Sequence, residues 1–437
     1  MKLAIVGAGW AGMSAAVSAV QAGHTVTVYE ASRNVGGRAR SLPCSLPDGS
    51  HTRIDNGQHI LIGAYSETLA LMRRVGMDPQ TTLLRLPLSL SFPDGHGIRF
   101  PAWPAPFDAL AGIVRAHGWR LSDKASFLRL ALRWRLAGFE CAAGASVADL
   151  CAGLSTRVLH DLVEPLCVSA LNTPAHSASG QVFLRVMRDS LFGAPGSSNL
   201  LLPRVDLSSL FPDAAVRWVT QRGAEVQMAS RVQHITPDGP RWRIHGARYD
   251  GVLLATTAGD AAHILTASLP SLPDPVAAQV AHWRAITGAL QHRAITTVYT
   301  WGPGVRLAQP MLALRSSAAP DATAPAQFVF DRGQLGGPGG LLAFVISDSA
   351  GDRAALQTQV LAQAKQQLGC ELQVVQTVVE KRATFACTPG LQRPPLRIAP
   401  ALLACADYVQ GPYPATLEGA VRAGAAAVTL VSSISGS

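Results

Sequence analysis

Charge is scarce in this chain: acidic and basic residues together make up only 15%, against 48% hydrophobic. That balance excludes a disordered protein and points to large buried surfaces. Long apolar runs are missing too, since none reaches the ~18 residues a membrane span requires. A soluble or peripheral globular protein is expected. The seven cysteines, at 44, 141, 151, 167, 370, 387 and 405, include no CxxC and no His/Cys pair at metal-ligand spacing. Zinc and iron–sulfur sites are therefore not expected, and the dispersed, odd set fits thiols in a reducing compartment. Acid falls short of base, 28 residues against 37, for a net charge of +9. Basic proteins meet nucleic acid, acidic ligands or anionic membrane. No helix-turn-helix and no aromatic-and-basic single-strand module is apparent, so nucleic acid is not an expected partner. Lys2 and the apolar stretch after it imitate a signal peptide, but glycines at 7, 9 and 12 interrupt it. The segment is read as retained and the protein as cytoplasmic.

What is present begins at residue 1. Lys2-Leu3-Ala4-Ile5-Val6 is strand-like and breaks into Gly7-Ala8-Gly9-Trp10-Ala11-Gly12, which opens a small-residue helix ending near Gly23. A second strand, Thr25 to Tyr29, finishes on Glu30 and Ala31. Strand, glycine turn, helix, strand and acid is the order of a dinucleotide site. Gly7 permits a tight turn, Gly9 lets the backbone approach a pyrophosphate, and Gly12 lets helix and strand pack closely. The helix start offers N–H groups to phosphate, and Glu30 stands where a carboxylate accepts from an adenosine ribose.

At 437 residues the chain is too long for one core and predicts two or three domains. After Glu30, Gly36-Gly37-Arg38-Ala39-Arg40 reads as a loop with phosphate donors, and Asp55-Asn56-Gly57-Gln58-His59 as a polar turn. Tyr65 to Gly76 reads as a helix. Leu86 to Phe92 and Ile98 to Phe100 read as strands of a different sheet, and 107–187 as mostly helical. Val232 to Ile235, Arg241 to Ile244 and Val252 to Thr256 are strand-like, and Pro270 to Pro275 is a boundary. Residues 294–301, 327–331 and 341–347 alternate like antiparallel strands, a covering helix follows from Asp352 to Leu368, and Val374 to Phe385 is another strand. The end repeats the opening chemistry, a strand reaching Asp407 and then Thr416-Leu417-Glu418-Gly419 opening a helix. The expected class is α/β (α+β over the whole chain). A discontinuous Rossmann-like nucleotide domain (1–80, 201–270, 391–437) would carry inserted substrate regions (81–200, 271–390).

One helix is two-faced. Leu121, Ala125, Leu128, Leu132 and Leu136 form one apolar stripe, and Phe127, Leu130 and Trp134 lie nearly opposite. Ser122 is the expected N-cap. Residues 99–135 hold seven Lys/Arg against two Asp, a net +5 of the chain's +9. Such a helix is either buried on both faces or docked in the core on one and against lipid on the other.

Together, GAGWAGMSAA, Glu30, Gly36-Gly37-Arg38 and the closing PATLEGAVRAG resemble the FAD-dependent amine oxidase and carotenoid desaturase superfamily. Asp55 to His59 and Glu164-Pro165-Leu166-Cys167, with Ala170 to Pro174, look like its squalene-associated branch, which serves bacterial hopanoid synthesis. The resemblance implies FAD. Gly7 to Gly12 would line the pyrophosphate, Glu30 and Ala31 the ribose, and Val232 the adenine end. Gly37, Arg38 and Asp407 would run beside the phosphates and ribityl chain. Asn56, Gly57, Gln58 and His59 would lie near the flavin, and Thr416, Leu417 and Glu418 would aim a helix start at its edge. Amine oxidases carry an aromatic-cage tyrosine where this chain has Thr416, which disfavours an amine and favours an apolar isoprenoid. The implied reaction is reductive dehydroxylation of hydroxysqualene to squalene with FADH2. His59 is the named candidate for the leaving-group acid, against a structural role. A single dinucleotide fingerprint leaves electrons to an external donor. The apolar substrate raises the expectation that the two-faced helix touches the inner face of the plasma membrane. The alternatives are a carotenoid-type desaturase, an amine oxidase, or a non-enzymatic prenyl-lipid carrier on the same fold.

Overall fold

In the computed structural model, which describes residues 1–104, 106–316 and 324–434, the opening stretch forms β1 (Lys2–Val6), α1 (Trp10–Gln21) and β2 (Thr25–Tyr29). Five later helices matter below: α2 (Ser66–Arg74), α3 (Phe107–Val114), α4 (Leu121–Leu136), α5 (Glu164–Leu171) and α6 (Gly180–Leu191). The chain then supplies β3 (Glu225–Gln227) and β4 (Gly251–Leu254). An antiparallel set follows: β5 (His292–Trp301), β6 (Met311–Ala313), β7 (Phe328–Asp331), β8 (Leu341–Ser347), the helix α7 (Arg353–Leu368) and β9 (Gln373–Phe385). β10 (Arg397–Ala399), β11 (Leu402–Ala404) and α8 (Leu417–Ile434) close the chain.

The first sheet runs β3-β2-β1-β4-β11-β10, parallel except for the last pair. Its strands come from three distant parts of the sequence. β1 sits near the middle, with Leu3 to Val6 opposite Val26 to Tyr29 on one side and Gly251 to Leu254 on the other. All four residues of β4 are buried because both faces of the sheet are covered, as parallel sheets require. The covering helices α1 and α8 touch through small residues, so closely that a Cβ on Gly424 would stand 2.4 Å from the Ala11 carbonyl oxygen. Beginning and end of the chain therefore pack as one layer.

The second sheet runs β6-β7-β8-β5-β9. β7 and β8 are buried at every position, yet the period of two still sorts their side chains. Val329, Leu342, Phe344 and Ile346 join Leu356, Val360 and Ala364 of α7 in one core. Phe328, Phe330, Val345 and Ser347 face a cavity on the other side.

Four expectations are corrected. Val232 to Ile235 is no strand: it is an irregular segment whose Ile235 N–H is taken by the Ser268 hydroxyl at 2.9 Å rather than by a ladder. α4 starts at Leu121, not after Ser122, because the Asp123 carboxylate accepts the Arg120 N–H at 2.8 Å. The sequence 274–288, expected within the antiparallel region, is a helix, and its Trp283 donates to the Pro395 carbonyl beside the closing strands at 2.9 Å. The two-faced helix is not buried on both sides. Phe127, Leu130 and Trp134 are in the core, whereas Leu121, Leu132 and Leu136 are 84%, 56% and 80% exposed.

Candidate functional site

One cavity of about 860 Å³ begins at the carboxyl ends of β1, β2, β4 and β11, the place where parallel α/β sheets bind nucleotides, and extends under the second sheet. At its first end the sequence dictates a backbone cradle. Gly7 adopts φ +109°, and a Cβ there would meet the Ala255 carbonyl oxygen at 2.6 Å. A Cβ on Gly12 would fall 1.9 Å from the Gly7 carbonyl oxygen, so only glycine lets α1 start this close to β1. Gly7, Gly9, Trp10 and Ala11 line the cavity. Ala8 serves indirectly, its N–H fixing Glu30 Oε2 at 2.7 Å while Ser32 N–H holds Oε1 at 2.7 Å. The carboxylate is thereby aimed with lone pairs to spare, beside Ala31. Val232 lines the same end, and Ser230, Arg231, Asp260 and His263 join it without any motif in the sequence to announce them.

In the middle of the cavity, Arg38 bridges the two ends of the chain. Its guanidinium pairs with Asp407 and donates to the Ala383 carbonyl at 2.9 Å. Gly37 packs on Gly9, where an added Cβ would lie 3.3 Å from the Gly9 Cα. Asn56 braces this loop from behind, accepting from the Arg40 N–H at 2.9 Å and donating to the Arg38 carbonyl at 3.0 Å. Gln58 takes Arg332 on its oxygen at 3.3 Å, but its Nε2 is buried with no partner. A cradle built of glycine backbone, a spare carboxylate at one end and an orphaned amide donor further along fits a dinucleotide carrying a ring system, as FAD does.

For His59 the geometry favours the structural role over the acid. Its Nδ1 lies 2.8 Å from the Gly57 carbonyl oxygen, which can only accept, so Nδ1 carries the hydrogen. Burial, and secondarily the Arg38 charge, hold its pKa below the ordinary value. With Nδ1 donating, the neutral tautomer presents Nε2 as an acceptor. Glu164, at the start of α5, is 48% exposed and paired with His160 at 2.8 Å. Glu418 belongs to the expected helix start through its main chain. Its carboxylate turns from the cavity to the start of α2, accepting the Thr68 N–H at 2.9 Å and hydroxyl at 2.7 Å, and pairs with Arg422 at 2.8 Å. Thr416 and Leu417 do line the cavity, with the Thr416 hydroxyl capping α8 through the Gly419 N–H at 3.0 Å.

Beyond the polar middle the walls turn apolar: Leu166 of α5, Val182, Val186 and Met187 of α6, and Phe328 and Phe330 of β7. The two tyrosines near the chain end separate here. Tyr408 is buried against Trp283 away from the cavity, whereas Tyr413 lines it.

Comparison with known proteins agrees with this geometry. The family of flavin containing amine oxidoreductases matches residues 10–432. A hydroxysqualene dehydroxylase from Zymomonas mobilis is 27% identical over 456 residues, covering 98% of both chains. One from Sinorhizobium fredii is 28% identical over 458 residues, covering 98% of this chain and 97% of its own. Among solved structures, an oxidoreductase from Methanosarcina mazei superposes with a TM-score of 0.71 at 18% identity, over 98% of this chain and 100% of that one, and so shares the fold.

Proposed function

The chain belongs to the flavin-containing amine oxidoreductase family, and from that premise we propose that it converts hydroxysqualene to squalene with FAD as its cofactor. Family membership makes it an oxidoreductase; the substrate is the further step. The observation that carries it is one continuous cavity, nucleotide cradle at one end and apolar walls at the other, in a chain similar end to end to two hydroxysqualene dehydroxylases.

In this reading segments 1–80, 201–270 and 391–437 form the FAD-binding unit. Gly7, Gly9, Trp10, Ala11 and Gly12 would shape the pyrophosphate site, and Glu30, set by Ala8, would hold the ribose beside Ala31. Val232 would meet the adenine. Gly37, Arg38 and Asp407 would flank the phosphate and ribityl stretch. Asn56, Gly57, Gln58, His59, Thr416 and Leu417 would frame the ring. Bound in its reduced form, FAD would supply the hydride that replaces the hydroxyl and the proton with which the hydroxyl leaves as water. The chain's own work is to align that carbon, keep water out with the apolar walls, and hold the Arg38–Asp407 pair in place. His59 Nε2 would accept a hydrogen bond and fix the neighbouring loop. Electrons would come from an external donor.

A hydrocarbon substrate resides in lipid, and the chain offers a place to meet it. Among the described residues, the exposed large apolar side chains all lie between Trp103 and Leu136, in the strongly basic stretch. No described helix is long and apolar enough to cross a membrane. In this reading α3 and α4 would rest on the inner face of the plasma membrane.

Anaerobic incubation of photoreduced holoenzyme with hydroxysqualene, and of oxidised holoenzyme with phytoene, tests the function. Squalene from the first and no desaturated product from oxidised enzyme with the second is expected. Desaturation of phytoene without squalene formation would replace this reading with the desaturase one.

A further inference from the structure

Two polar side chains from distant parts of the sequence meet at the cavity wall. Tyr413, just before α8, donates its phenol hydrogen to Asp189 Oδ2 at 2.7 Å, and Asp189 sits in the last turn of α6. Both line the cavity. Arg185 Nε at 2.5 Å and Arg188 Nε at 3.1 Å hold the same carboxylate. The guanidinium groups of Arg185 and Arg422 lie 5.6 and 5.1 Å from the centre of the Tyr413 ring. The tyrosine backbone is locked to α8, since its carbonyl accepts the Thr416 hydroxyl at 2.9 Å and a Cβ on Gly419 would stand 1.9 Å from its oxygen. The phenol is therefore one turn from the helix start that the proposed flavin site uses.

We propose that Tyr413 and Asp189 form the subsite that recognises the substrate's hydroxyl, and that the same pair excludes amines. The inference rests on the function proposed above. With the phenol hydrogen committed to Asp189, the pair presents only lone pairs toward the cavity, from the phenol oxygen and the carboxylate. What binds there must donate a hydrogen bond. Two classes of cavity-sized donor come into question, an alcohol and an ammonium. Three guanidinium groups, Arg185, Arg188 and Arg422, stand around two carboxylates, Asp189 and Glu418, leaving a local excess of positive charge. An ammonium is repelled by that excess; a neutral hydroxyl is not. Burial opposes ionisation of Asp189, but Arg185, Tyr413 and Arg188 outweigh it and hold its carboxyl below the usual range, so the acceptor is charged. A hydrocarbon lacking the hydroxyl forgoes that hydrogen bond, while Asp189 keeps Tyr413, Arg185 and Arg188.

The test is equilibrium binding to oxidised, FAD-loaded enzyme, where no turnover occurs, followed by the perturbation of flavin absorbance in matched detergent. The probes are hydroxysqualene, squalene and a long-chain alkylamine. Wild type is expected to prefer the alcohol over the hydrocarbon about tenfold or more, the range of one hydrogen bond to a charged group. Tyr413→Phe should bring that ratio close to one while leaving squalene affinity unchanged, and Asp189→Asn, which keeps size, should lower it as well. A brace holding the loop to α6 would instead weaken all probes alike. An alcohol preference that persists in both FAD-retaining variants, or an alkylamine that binds wild type more tightly than the alcohol, overturns the subsite. Wild-type enzyme that forms no squalene overturns the function, a separate outcome.

Discussion

The two halves of the cavity are built from different material. At the nucleotide end the walls are main chain: Gly7 at φ +109°, Gly12 pressed on the Gly7 carbonyl, and Glu30 set by two backbone N–H groups. At the other end they are side chains from α5, α6 and the second sheet, elements far apart in sequence. A main-chain wall has no rotamers to adjust, so a single added carbon is felt at full force. A side-chain wall can repack around a change, at moderate cost. The first half should therefore be brittle and the second forgiving.

Gly12→Ala tests the brittle side most severely. Its new Cβ would stand 1.9 Å from a carbonyl oxygen and 3.1 Å from the Ala255 side chain, so the glycine turn itself must move. FAD affinity, measured by quenching of flavin fluorescence, should fall about 100-fold or more, equivalent to ~2.7 kcal/mol. Val186→Ala, on the apolar wall, should keep FAD affinity within about threefold. Equal FAD affinity in the two variants would abolish the distinction.

The same contrast governs what the sequence revealed. Glycine spacing and a following acid encode a main-chain site within 30 residues, so Gly7, Gly9, Gly12 and Glu30 were legible. Alternation gave the strands of the second sheet, since period two needs only local reading. The helix at 274–288 was not, because the prolines that open it resemble a linker. Tyr413 and Asp189 are 224 residues apart, and nothing local to either predicts the bond between them. The direction of the Glu418 carboxylate was not legible for a related reason: its partner Thr68 lies 350 residues away.

Asp55, buried next to the cavity-lining Asn56, sharpens the comparison through pH. Its Oδ1 accepts the Leu207 N–H at 2.8 Å, while Oδ2 is buried without a partner, 4.0 Å from Arg332. Burial lifts its pKa to about 6 against the opposing pull of Arg332. Because the folded value lies above the unfolded one, the native protein binds the extra proton between about pH 4 and 6. Stability then falls as pH rises through that window and levels off above it. The penalty reaches at most about 3 kcal/mol at neutral pH. Asp55→Asn should gain most of this at pH 7 and little at pH 4, read as the difference in urea midpoints of the two proteins. The same difference at both values would mean the carboxyl is not titrating in this window.

The smallest effect concerns α4, which carries the contrast on its two faces. Trp134 packs edge-on against Phe127 and Phe183, 6.4 and 6.1 Å between ring centres, so its truncation empties a core and should lower the melting temperature. Leu136 is 80% exposed and has little packing to lose against the described residues. Leu136→Ser should leave the melting temperature unchanged and weaken flotation with anionic vesicles about fivefold, near 1 kcal/mol for an apolar side chain partly withdrawn from lipid. Loss of flotation in Leu136→Ser but not in a neutral-lipid control would show that the basic flank acts together with the leucines. Unchanged flotation on anionic vesicles would remove this face from contact with the membrane and leave its exposed leucines to another partner.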